Sequence, residues 1–224
     1  MAPNPRPIPR FIADSTQEGI PYGRFAEQLA DTFQAACVEI EGLPGGTSPP
    51  QEISWFPERT WGGRTWVPAT AQTKAGDSEL ELFGHVSYVR PEDGDPGDLR
   101  AKADFTDVLA ADNPEWKIDL NDDVIGRWRG ETGMAGDVTL VWGTPLVPGS
   151  IAATAELELV TVDQEAVSQN RFTLVALDAL EGYGDDVFLE VKLWNRRAQE
   201  LASESLYAEP EEPGEPQEDE ARPA

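Results

Sequence analysis

Histidine and cysteine are almost missing from this chain, and each scarcity removes a class of chemistry. One cysteine, Cys37, among 224 residues leaves no internal disulfide to form, which fits a reducing compartment. One histidine, His85, and that one cysteine cannot furnish the four ligands of a tetrahedral zinc site. Any Ser–His–Asp or Cys–His mechanism would have to use His85 as its base, yet no nucleophile elbow is present. Cys37 falls on the apolar stripe of a helix, where a thiol is packed rather than reactive. There is no apolar run of 18 residues, and MAPNPRPIPRF lacks the hydrophobic core of a signal peptide. A cytoplasmic location is the expectation.

Lysine is also scarce, with 4 against 13 arginines, while 42 acidic residues bring the formal charge to −25. Seven acids against Arg222 give residues 208–224 a net −6, leaving −19 on residues 1–207. The acidity therefore belongs to the body of the protein, and such a surface repels phosphate backbones and anionic membranes. No nucleic-acid or membrane partner is expected. A protein partner, self-association or a small-molecule ligand all remain open.

Periodicity organises the rest. Tyr22, Phe25, Leu29, Phe33, Ala36, Cys37 and Ile40 recur at three- and four-residue spacing, which predicts an amphipathic helix ended by Gly42 and Pro44. From Leu80 to Trp194 the apolar residues alternate instead: Leu80, Leu82, Val86 and Tyr88, then Leu99, Ala101, Ala103 and Phe105. Trp116, Ile118 and Leu120, and then Val138, Leu140 and Trp142, continue the pattern. Further alternating sets fall at 151–159, 172–176 and 187–193. Gly, Pro, Asp and Asn separate these runs, notably at 91–98, 121–123, 131–136, 144–150 and 163–165. The segment NRRAQELASESLY places Ala198, Leu201, Ala202 and Leu206 on one side of a closing helix. His85 is opposite in parity to its apolar neighbours, and so is expected to face away from the main core.

The expected fold is a β-rich α+β domain over residues 22–207. It is an antiparallel meander of eight or nine strands, closed as a barrel or packed as two sheets, with a helix at each end. Sequential hairpins favour the barrel. The proline-rich arm 1–21 and the acidic tail 208–224 have too little apolar surface to offset ordering entropy and are expected to be disordered.

The most unusual stretch is EISWFPERTWGGRTWVPAT. Gly62-Gly63 between two RTW triplets is a two-residue hairpin signal, because primed turns need positive φ. Trp61 then opposes Arg64, Arg59 opposes Trp66, and Thr60 meets Thr65 on the other face, with Trp55 expected further along the Trp/Arg face. Indoles stack on rings and cations while guanidinium groups hold anions, so Trp55, Arg59, Trp61, Arg64 and Trp66 form a candidate ligand platform. An oligomer contact and plain cross-strand packing are the competing readings.

Other clusters are weaker. Glu92, Asp93, Asp95 and Asp98 could attract calcium, but Gly94 and Gly97 do not fall as an EF-hand requires. Asp119, Asp122, Asp123, Glu131 and Asp137 surround turns without singling out an acid–base pair. GLPGGTS follows a helix and lacks the lysine of a phosphate loop. No metal or cofactor is assigned. The functional expectation is a non-enzymatic binding or assembly protein using the Arg/Trp hairpin. A barrel that binds a small molecule, or an enzyme working with carboxylates and arginines, is the alternative.

Overall fold

The computed structural model describes residues 24–50, 52–91, 94–129, 135–157, 160–178 and 188–206. The arm 1–21 and the tail 208–224 lie outside these residues, as do Glu92, Asp93 and Glu131. Among the described residues there is one α-helix, α1 (Arg24–Val38), and there are twelve strands, all pairing antiparallel.

The helix obeys its stripe. Leu29, Phe33 and Cys37 are buried, each one turn from the next. They lie on the first sheet, built from β1 (Ser54–Trp55), β2 (Arg59–Trp61), β3 (Arg64–Ala75), β4 (Ser78–Val89) and β5 (Gly97–Thr106). The alternation in that sheet is as its sequence dictates: Val67, Ala69, Ala71, Leu82, Val86 and Tyr88 all meet the helix. Removing each such side chain from water contributes roughly 1.5–3 kcal/mol for the larger ones. β1 and β2 both pair with β3 along one edge.

The expected barrel is overturned by what lies on the other side of this sheet. A middle sheet, β6 (Ile118–Arg129), β7 (Ala135–Pro145) and β10 (Phe172–Asp178), packs there, with order β10-β7-β6. An outer sheet, β8 (Ala152–Leu157), β9 (Val160–Ala166), β11 (Leu189–Trp194) and β12 (Glu200–Ser205), covers the middle sheet's second face. The layers therefore run helix, sheet, sheet, sheet. A closed barrel buries one face of each strand, whereas β7 is buried on both, and its sequence VTLVW is apolar almost without interruption.

Three further expectations change. The closing helix is instead β12, an edge strand pairing Glu190↔Ser205 through Leu193↔Ala202. The supposed turn Asn121–Asp123 lies within β6, and the supposed link Asp163–Glu165 lies within β9. Asn121 and Asp123 meet Glu81, His85 and Lys102 of the first sheet, and Asp163 and Glu165 meet Arg59 of β2, so these polar side chains are held inside strands rather than in turns. His85 does point away from the helix, but the middle sheet covers it and it is buried. No helix among the described residues is long and apolar enough to cross a membrane.

Candidate functional site

The hairpin forms in the register its glycines dictate. Gly62 and Gly63 take φ of 61° and 76°, and the pairs are Trp61↔Arg64, Thr60↔Thr65 and Arg59↔Trp66. The chain from Phe56 to Glu58 interrupts the edge, so β1 and β2 are separate strands and parity is not carried across. Trp55 consequently lies on the helix side, its ring 6.0 Å from Phe33 at 62°. It does not share a face with Trp61 and Trp66, as the unbroken-strand reading expects.

Arg59 also leaves the group. Its guanidinium reaches the outer sheet, where Nη2 donates to Asp163 at 2.6 and 2.7 Å and Nη1 to Glu165. Asp163 additionally accepts the backbone N–H of Val175 on β10 at 2.8 Å. One side chain of β2 thus ties all three sheets together. Burial pushes the Asp163 carboxyl up, and the Arg59 charge acts in the opposite direction.

Trp61, Arg64 and Trp66 come together at a cleft of about 330 Å3 between the hairpin, β4, β5 and β6. Trp66 is buried, and its Nε1 donates to the Trp61 carbonyl at 3.2 Å. Trp61 lies against Gly126, where a Cβ would stand 2.5 Å from two of its ring carbons. Ala101 and Ile125 complete the apolar lining.

The charged lining is arginine. Arg64 donates to the Ser87 carbonyl at 3.1 Å, to the Asp98 carbonyl at 2.6 Å and to the Asp98 carboxylate at 2.6 Å. Arg100 reaches the same carboxylate at 3.2 Å while its side chain stays 68% exposed. The Arg64 hydrogen bond is the main reason the Asp98 carboxyl lies below the usual range, with Arg100 adding to it. Two guanidinium groups share one carboxylate, so the lining keeps a surplus positive charge.

His85 lies against Trp66, edge to face at 5.1 Å. Its Nε2 is 2.9 Å from Asp123, which also takes a bond from Lys102. Burial raises the Asp123 carboxyl, but the bonds from His85 and Lys102 outweigh it and hold it low. The His85 Nδ1 is buried and finds no hydrogen-bond partner among the described residues.

Ser87, Arg100 and Ile125 were not among the residues singled out by sequence, and His85 was weighed there only as the one possible base. Arg100 stands out of phase with Leu99 and Ala101, which places it on the right face, but nothing local says which strand lies opposite. The remaining sequence candidates disperse. Asp98 serves the arginines, and Asp119 and Asp123 face the first sheet. Cys37 is buried under α1, with its thiol pushed up to about 11 by desolvation. No group of three or more His, Cys, Asp or Glu able to hold a metal occurs among the described residues. Comparison with protein-family models, with curated proteins and with solved structures finds no match.

Proposed function

We propose that this is a non-enzymatic binding protein whose contact site is the Trp61–Trp66–Arg64–Arg100 cleft, and that it takes an anionic group carried on an apolar or ring-bearing body. The observation that carries this reading is the meeting of two indoles and two guanidinium groups around one cleft in a chain of charge −25. Its volume of about 330 Å3 falls within the range of small-ligand sites. Arginine holds carboxylates and phosphates through paired N–H bonds, and indole faces supply contact area at low entropic cost. A protein segment bearing a carboxylate would present the same chemistry as a small molecule.

The binding reading is favoured over catalysis by the geometry of His85. A general base needs a nitrogen within reach of a proton in the substrate. Nε2 is committed to Asp123, and Nδ1 is sealed from solvent.

Naphthalene-2-carboxylate is a suitable probe, followed by ligand-observed NMR on the full chain at millimolar concentration. Transfer signals are expected with the wild type, weakening as salt rises. They should be lost in Trp61→Ala and in Arg64→Ala. Signals of equal strength in both variants, or none with the wild type, would overturn the assignment.

A further inference from the structure

We infer that the cleft is the docking site of the chain's own acidic, proline-bearing segment, residues 208–224, folded back within the same molecule. This rests on the binding reading above and names the occupant. The first argument is chemical. AEPEEPGEPQEDEARPA carries seven carboxylates and four prolines. Proline-rich segments dock in aromatic-lined grooves because their extended conformation costs little entropy to fix. Carboxylates between the prolines would meet Arg100, the more exposed of the two arginines.

The second argument is position. Leu206, the last described residue, donates its N–H to the Leu189 carbonyl at 3.1 Å. Leu189 pairs with Leu157, and Leu157 with Val160, which fixes one end of the outer sheet. β9 turns back into β10 through the Ser168↔Arg171 bridge, so the start of β9 and the end of β10 share that end. Leu177 on β10 pairs with Val138, Val138 pairs with Gly126, and Gly126 lies under Trp61. The chain therefore leaves the outer sheet at the end of the stack where the cleft opens.

Reach is sufficient. The 18 residues beyond Leu206 can span roughly 60 Å when extended, against about 20 Å for two sheet spacings. Charge favours the destination as well, since the body carries −19 overall while Arg64 and Arg100 line the cleft.

A carbodiimide joins a carboxylate to an amine without a spacer, and the chain has only four lysines to report on it. Lys102 stands next to Ala101 in the cleft wall, whereas Lys74 and Lys117 are elsewhere. Cross-linking the full chain and mapping the products by mass spectrometry should give monomers in which carboxylates of 209–220 join Lys102. That product should exceed the links to Lys74 or Lys117 several-fold, beside the Lys102–Asp123 link that their own ion pair gives. Arg100→Glu should reduce the tail–Lys102 product to the level of the other lysines, as should high salt. Tail links spread evenly over the lysines, absent, or found only between copies would overturn the inference. Naphthalene-2-carboxylate binding without tail links would leave the cleft a binding site with a different occupant. Tail links to Lys102 without any probe binding would sink the small-molecule form of the functional reading and leave the cleft as the docking site of its own tail alone.

Discussion

The middle sheet meets its two neighbours through faces of different character. Toward the outer sheet it offers Val141, Phe172, Leu174 and Ala176, packed on Ala153, Ala155, Leu189, Val191 and Leu193. Toward the first sheet it offers Leu140 and Trp142 beside Asp119, Asn121 and Asp123, which reach Glu81 and His85. The apolar face draws on a non-directional force proportional to buried area. The mixed face holds directional bonds that fix how the first sheet sits, at the cost of desolvating each polar group. The cleft lies on the mixed side, lined by side chains of unequal shape and charge.

This contrast can be broken by substitution, and the largest effect belongs to the apolar face. Phe172→Ala should cost about 3–5 kcal/mol in urea unfolding, the range for truncating a buried phenyl group. A cost under about 1 kcal/mol would show that the outer interface is not the main source of stability.

Arg59→Ala attacks the mixed side, leaving Asp163 and Glu165 without their cation. Roughly 2–3 kcal/mol is expected, as for a charged hydrogen bond that is partly shielded from water. Burial already raises the Asp163 carboxyl, so the folded state binds the proton more readily than the unfolded chain. Stability then falls as pH rises, and the variant should be weaker near pH 8 than near pH 5. A loss as large as that of Phe172→Ala, and flat with pH, would erase the distinction between the faces.

Glu81→Gln sharpens it with the opposite sign. Burial, with Asp119 nearby, pushes the Glu81 carboxyl up from 4.5 to about 7, against the bonds from Gln72 and Asn121. Stability is therefore lost as pH climbs from 4.5 through about 7 and the group must ionise in place. The glutamine variant should gain roughly 1–2 kcal/mol near pH 8 after allowance for screening, and almost nothing near pH 5. A gain independent of pH would assign the effect to packing.

Thr173→Val gives the smallest effect. Thr173 is fully buried, and its hydroxyl has no partner among the described residues. Replacing it by a methyl group should raise stability by about 1 kcal/mol, seen as a small rise in Tm. A fall would reveal that the hydroxyl is bonded.

Local rules written into the sequence account for helix α1, the Gly62-Gly63 register and the inward sets of β3 to β5. A 3.6-residue stripe, a primed turn and a two-residue alternation each need only near neighbours. The layering needed more. β7 and β8 are buried on both faces, and their runs VTLVW and AATAEL lack the alternation of a one-sided strand. β12 carries Ala, Leu and Glu, good helix formers, but the open edge of β11 gives its backbone partners. Asn121 to Asp123 resemble a turn until His85, Lys102 and Glu81 are brought opposite them. Half of the cleft was legible for the same reason. The hairpin places Trp61, Arg64 and Trp66 by itself, whereas Arg100 and Ile125 arrive on strands distant in sequence.

The strand order also sets the course of folding. Helix α1 and the first sheet come from one unbroken stretch, 24–106, whose long strands join through neighbouring hairpins. The middle and outer sheets are interleaved, because the chain leaves β7 to build β8 and β9, returns as β10, and leaves again for β11 and β12. Pairing β10 with β7, and β11 with β8, each closes a loop through strands of the other sheet, so these pairings carry more loop-closure entropy than the hairpins of the first sheet and are expected to form later. Leu140 and Trp142 of the second half close on Phe56 and Trp66 of the first, so a half built on local pairings and a half built on distant ones meet at the mixed interface.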